Sequence, residues 1–298
     1  MSNTSIEWTS KVWNVTRGCA RVSAGCGTGV AGGCYAERQA HRFSGPGMPY
    51  EGLTKMGKHG PQWTGRCIFV PEKLDEPLHW KKPARIFVNS MSDLFHDDIT
   101  NEQISTVFSV MADCPQHTFQ ILTKRPARML EALEWIEEHS GGHHGNWPLQ
   151  NVHLGVSCEN QETANERIPI LLKCPAGVRF VSAEPLLGAI AFGEKHLGQG
   201  SDCPECGWGV LVDEEGCCAT CGEYSMWYGL DWVIVGGESG PRRRDCEVEW
   251  IHSIVEQCEG VGVPCFVKQD SGARSGGQGR LSDELWSIKQ FPVTGETP

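Results

Sequence analysis

Seven short apolar runs recur along the chain, and most are followed by polar residues and then by a stretch of helical periodicity. They are Val12-Trp13-Asn14-Val15, Arg85-Ile86-Phe87-Val88-Asn89, Thr118-Phe119-Gln120-Ile121-Leu122, Val152-His153-Leu154-Gly155-Val156, Val178-Arg179-Phe180-Val181, Trp232-Val233-Ile234-Val235 and Pro264-Cys265-Phe266-Val267. Near-continuous apolar strands of this kind suit a parallel sheet buried on both faces. Thr100 and Gln103 form a capping-box pattern ahead of Ile104, Val107, Phe108 and Met111, which fall on one helical face. Met129, Leu130, Leu133 and Ile136 repeat the pattern, as do Trp250, Ile251, Ile254, Val255 and Cys258. Repeated β-then-α units predict an α/β fold, a full or partial parallel (β/α) barrel. A chain of 298 residues is long enough for one such domain spanning 1–298. No apolar run reaches the roughly 18 residues of a membrane span, and Met1-Ser2-Asn3-Thr4-Ser5 lacks the pattern of a signal peptide. The expectation is a soluble cytoplasmic protein without a membrane partner.

In a parallel barrel, chemistry gathers where strands end and βα loops begin. Polar residues concentrate at those places: Asn89-Ser90-Met91-Ser92-Asp93, Thr123-Lys124-Arg125, Ser157-Cys158-Glu159-Asn160, Ser182-Ala183-Glu184-Pro185, Gly236-Gly237-Glu238-Ser239 and Lys268-Gln269. One such tail would be an ordinary helix cap, whereas six on one rim read as an active site. For each carboxylate, a helix cap or internal salt bridge is the competing explanation.

The fifteen cysteines fall into clusters, which in a cytosolic chain of this size points to metal ligation rather than disulfides. Cys19, Cys26 and Cys34 lie in a glycine-rich loop ahead of a helical stretch from Tyr35 to about Phe43. Three thiolates can hold three irons of a four-iron cluster and leave the fourth open. Unrelated buried thiols, or a zinc site completed by a histidine, fit the same spacing. The second group, Cys203-x2-Cys206 and Cys218-x2-Cys221 with Cys217 adjacent, is a zinc-ribbon pattern and predicts a small insertion over 201–225 stapled by structural Zn2+. A rubredoxin-like iron or an auxiliary cluster would use the same ligands. Cys67, Cys114, Cys158, Cys174, Cys246, Cys258 and Cys265 lack ligand spacing and read as core, and the histidines His139, His143 and His144 read as a solvated loop.

Trp13-Asn14, Gly18-Cys19, Ser23-Ala24-Gly25-Cys26 and Cys34-Tyr35-Ala36-Glu37 resemble the opening of the phage-type three-cysteine-motif family, which is related to radical S-adenosylmethionine (SAM) enzymes. The resemblance continues through Phe87 to His96, Leu122-Thr123-Lys124-Arg125-Pro126, Gly155-Val156-Ser157, Ser182-Ala183-Glu184-Pro185 and Gly236-Gly237-Glu238-Ser239-Gly240. The chain departs from the family in the seven residues, Gly27 to Gly33, between its second and third cysteines, a longer spacing than usual. Gly33 also stands where radical SAM loops place an aromatic, which makes Tyr35 the candidate for the adenine contact.

The resemblance implies a barrel of radical SAM type and a [4Fe-4S] cluster that cleaves SAM to a 5′-deoxyadenosyl radical, which abstracts hydrogen from a substrate. It also implies an electron donor such as flavodoxin or ferredoxin, and a phage protein working in its host's cytoplasm. Ser90, Ser92 and Asp93 are then candidates for the SAM amino acid, Ser157 and Glu159 for its ribose, and Glu184, Glu238, Lys124 and Lys268 for substrate contact. A hypermodified DNA pyrimidine undergoing rearrangement, an isomerase reaction, is the first substrate reading. A formal net charge of -11 excludes a broadly basic surface, so nucleic acid would need a local track such as Arg242-Arg243-Arg244 or Lys124-Arg125. The alternatives are radical modification of a peptide or small metabolite, and a noncatalytic metal-bound nucleic-acid adaptor.

Overall fold

The computed structural model describes residues 4, 6–27, 32–139, 147–193, 196–197 and 229–292. In chain order its elements begin with β1 (Lys11–Trp13), β2 (Thr16–Gly18), α1 (Tyr35–His41), β3 (Thr54–Gly57), β4 (Gly60–Trp63), β5 (Cys67–Phe69), β6 (Arg85–Val88) and α2 (Asn101–Ala112). They continue with β7 (Thr118–Thr123), α3 (Pro126–His139), β8 (Val152–Ser157), α4 (Gln161–Leu171), β9 (Val178–Ala183), β10 (Trp232–Gly236), α5 (Val248–Val261), β11 (Cys265–Gln269) and α6 (Asp283–Ser287).

Seven strands form one sheet in the order β1-β6-β7-β8-β9-β10-β11, parallel at every pairing. The sheet curls into a half-barrel whose edges, β1 and β11, do not pair, so the barrel is the partial form of the two expected. Alternation along each strand sorts side chains between the two faces. Ile86, Val88, Phe119, Ile121, Leu154 and Val156 point to the helical side and share one core with α2, α3 and α5. The predicted stripes supply the other half of that core, with Leu130 and Trp250 at its margin. The predicted capping box on α2 is present, with Thr100 and Gln103 bonding each other's backbone N–H. Asn160 and Thr163 cap α4 in the same way.

The concave face carries a separate cluster of Trp8, Phe180, Trp232, Ile234 and Phe266, bordered by Phe87, Leu122 and Phe291. Trp8 comes from the segment ahead of β1 and packs against Phe87 (centroids 4.7 Å apart) and edge-on to Trp232 (6.2 Å). These aromatics fill the early and middle positions of the inner face. By the same alternation, the late inner positions go to Ser157, Ser182 and Lys268. The inner face is therefore largely apolar at depth, with Gln120 and His153 as buried polar exceptions, and polar at the rim.

Between β1 and β6 the chain makes structure that the apolar runs did not announce. β2 pairs antiparallel with β5, and β3 with β4 as a hairpin. The run at Val12–Val15 supplies the end of β1, and β2 lies between it and the first cysteine. The predicted insertion 201–225 and its four ligands, Cys203, Cys206, Cys218 and Cys221, lie outside the described residues, as do His143 and His144. Among the described residues no helix is long and apolar enough to cross a membrane.

Gly155 pairs with Phe180 across β8 and β9, and an ideal Cβ there would sit 2.5 Å from the Phe180 ring. Phe180 is fully buried and cannot swing away. Gly155→Val should therefore destabilise the protein by about 1–3 kcal/mol through overpacking, seen as a lower midpoint in chemical denaturation.

Candidate functional site

Three cysteines meet the rim on one loop. Cys19 follows β2 directly, Cys26 closes the single 3₁₀ turn Ala24–Cys26, and Cys34 is the N-cap of α1. All three are half-buried free thiols, and Cys26 and Cys34 both act electrostatically on Cys19. Burial pushes the Cys19 thiol up to about 12, with Asp93 adding to the rise and the Arg125 guanidinium opposing it. The loop passes close to itself and to the rim. Gly27 and Gly32 adopt φ of 80° and 70°, and an ideal Cβ on either would lie 2.6 Å from Gly33 N or Arg244 Nε respectively. Only glycine meets both demands.

Charged side chains from the strand ends fasten this loop beside each cysteine. Arg125, just past β7, bonds Asp93 Oδ2 at 3.0 Å and donates to the Ala20 carbonyl at 3.3 Å, beside Cys19. Glu159, just past β8, accepts from the Gly25 N–H at 3.0 Å, beside Cys26, and from Arg167 Nη1 at 3.1 Å. Glu238, just past β10, accepts from the Gly33 N–H at 3.1 Å, beside Cys34, and from Arg244 Nε at 2.9 Å. Arg244 also reaches the Ala24 carbonyl at 2.7 Å, so one guanidinium spans two parts of the loop. Within α1, Glu37 takes both Arg21 Nε and Nη2, at 2.9 and 2.7 Å.

These pairings decide what the expected site residues can do. Asp93 is saturated, accepting from the Thr123 hydroxyl and the Phe95 N–H as well as from Arg125. Glu159 is fully buried, and Glu238 holds Arg244 with three hydrogen bonds. In this structure those carboxylates, expected at cofactor or substrate, hold the loop. Arg244, expected at a phosphate, is likewise committed to Glu238, whereas Arg243 is exposed and Arg242 donates to the His59 carbonyl. Ser92 bonds the Thr16 carbonyl at 2.9 Å, and Ser90 donates to Asn14 Oδ1 at 3.3 Å. Ser157 is buried on the inner face, and Tyr35 is exposed at the start of α1. Lys124 acts on Glu159 and Cys158 from the β7 end. Lys268 and Glu184 pair at 2.5 Å and are each partly exposed, and neither hydrogen-bonds the described residues of the cysteine loop.

Arg167, like Arg21 and Glu37, is a residue of the loop's surroundings that the sequence reading missed. It lies within α4, where an arginine reads as solvated surface, and no local spacing links it to Glu159. Asn89, in the left-handed region at φ 60°, accepts from the Thr16 N–H, while its buried Nδ2 has no partner among the described residues. The cysteines without ligand spacing behave as expected: Cys158 is fully buried and donates to the Thr163 carbonyl.

Among the described residues, no three His, Cys, Asp or Glu side chains converge as the ligands of a single ion would. The ligands of an iron–sulfur cluster bind separate irons, a wider arrangement. The donor set suits such a cluster in chemistry: three thiols on one loop, with Arg125 facing Cys19 and Arg21 facing Cys26 and Cys34. Guanidiniums there would offset a cluster's negative charge.

This fold and loop define a half-barrel protein with a clasped three-cysteine rim. A family model described as "Protein of unknown function (DUF5131)" matches residues 3–284, and the chain belongs to that family. No curated protein and no solved structure matches it.

Burial raises the Glu159 and Glu238 carboxyls, but hydrogen bonds from the loop and the adjoining guanidiniums outweigh it, so both lie below the usual carboxylate range. A depressed carboxyl stabilises the fold fully above its unfolded value of about 4.3 and loses that contribution as pH falls through the folded value. Stability should thus drop below about pH 4, and Glu159→Gln should flatten that drop in thermal midpoints measured against pH. Glu159→Ala, which strands buried Arg167, should cost about 3–5 kcal/mol at neutral pH.

Proposed function

We propose that the chain is a radical SAM enzyme on a partial barrel of radical SAM type, with Cys19, Cys26 and Cys34 as ligands of a [4Fe-4S] cluster. The observation that supports it most is the meeting of three thiols on one loop, clasped to the strand-end rim of a parallel half-barrel and flanked by two guanidiniums. Held by Cys19, Cys26 and Cys34, such a cluster would supply one-electron reduction of SAM, drawing on a donor such as ferredoxin or flavodoxin, and so the radical chemistry that removes hydrogen from a substrate. The chain's own residues position and enclose. Ser90 and the exposed ring of Tyr35 flank the loop and can meet the SAM amino acid and adenine, and Ser157 can meet its ribose. Among the described residues, Lys268 and Glu184 have only each other and Gln269 as side-chain partners, so a polar substrate group can replace either one. Trp8 and the inner aromatics exclude water from below. A nucleobase in DNA is the substrate class we favour. The zinc ribbon of Cys203, Cys206, Cys218 and Cys221 belongs to the same proposal as a structural site.

Protein reconstituted anaerobically should carry about four irons and four sulfides at the loop and, with SAM and reductant, form 5′-deoxyadenosine before any substrate is known. Alanine at Cys19, Cys26 or Cys34 should abolish that product. A reducible cluster that binds SAM and never yields deoxyadenosine would refute the enzyme reading and favour the adaptor. Metal analysis of the triple Cys19, Cys26 and Cys34 to Ala variant should still find about one zinc per chain. Loss of zinc together with iron would show that the two cysteine groups are not independent.

A further inference from the structure

We propose that the cleft between α1, the β3–β4 turn and the segment after β10 binds a phosphate of a nucleic-acid strand, bringing that strand to the Cys34 rim. This locates where the DNA substrate favoured above is held and rests on that reading. The cleft is lined by Arg21, Cys34, Arg38, His59, Gln62 and Arg242, among others. Its one carboxylate, Glu37, is spent on Arg21 and the Trp63 N–H. Arg38 is half-buried on α1 and has no carboxylate partner among the described residues. Arg242 is tied to the hairpin turn through the His59 carbonyl. A part-desolvated guanidinium without a counter-ion attracts an anion, and its planar fork suits phosphate oxygens.

The surroundings extend the site beyond one phosphate. Residues 35–69 carry Arg38, Arg42, Lys55, Lys58 and Arg66 against Glu37 and Glu51, a local excess of cations in a chain of net charge -11. α1 packs on the β3–β4 hairpin, so these cations belong to one unit. Tyr35, Arg38 and Arg42 follow i, i+3, i+7 spacing along one face of α1, and Tyr35, Phe43 and Met56 are all more than half exposed. Exposed rings among cations give bases a surface to stack on while the backbone follows the charge. A mononucleotide would need only the cleft, and the further cations favour a strand.

The test is fluorescence anisotropy of a labelled single-stranded oligodeoxynucleotide on the full-length reconstituted protein, titrated across salt concentrations. R38Q should weaken binding about tenfold and reduce the salt slope by about one. K82Q removes the same charge at an exposed lysine outside the cleft and should leave both unchanged. Equal effects of R38Q and K82Q would overturn the site, and thymidine monophosphate binding as tightly as the oligonucleotide would overturn the strand. Deoxyadenosine formation measured on the same preparation separates the two readings. Its presence without strand binding overturns the cleft proposal alone, and strand binding without it supports the cleft while removing the radical chemistry.

Discussion

Carboxylate–guanidinium pairs at the strand ends fix the cysteine loop. A glycine-rich loop is costly to order, because glycine loses the most backbone freedom on folding. Glu159–Arg167 and Glu238–Arg244 each leave one carboxylate oxygen facing a loop N–H, and Asp93–Arg125 leaves one guanidinium nitrogen for a loop carbonyl. Such pairs add little net stability over an apolar core, but losing one partner is expensive. Their contribution is geometric: backbone beside Cys19, Cys26 and Cys34 is tied to three different places on one rigid sheet.

The sheet earns that rigidity from its own division of faces. The outer side of each strand locks into the helices, while the inner side carries an aromatic floor with Trp8 brought in from outside the sheet. The rim gathers the strand-end polar residues, and most of the charged groups there are taken by the loop. Lys268, on β11, and Glu184, just past β9, pair with each other from the two strands that flank β10. An open half-barrel also leaves one side of the rim uncovered, which lets the α1–hairpin unit stand beside the cysteines.

The strands and helical stripes were legible because burial imposes a period on sequence, and Thr100–Gln103 was legible because a capping box is local. Closure was not legible, since it depends on whether β1 meets β11, a contact between distant ends of the chain. β3 and β4 escaped because Thr54–Gly57 and Gly60–Trp63 are short, glycine-bearing and without alternation. The rim could be read as a place but not in its roles. A glutamate that meets a ligand and one that clasps a loop look alike until the partner is known, and Arg125 lies 32 residues from Asp93.

The central claim is that the clasped loop offers three thiolates and no fourth to a four-iron cluster. Mössbauer spectroscopy of protein reconstituted with iron-57 tests it most directly, before and after SAM is added. A cluster with three cysteine ligands predicts that one iron in four changes its signal on SAM binding while the other three keep theirs. Four irons with unchanged signals after SAM addition, or a mononuclear metal at the loop, would contradict it.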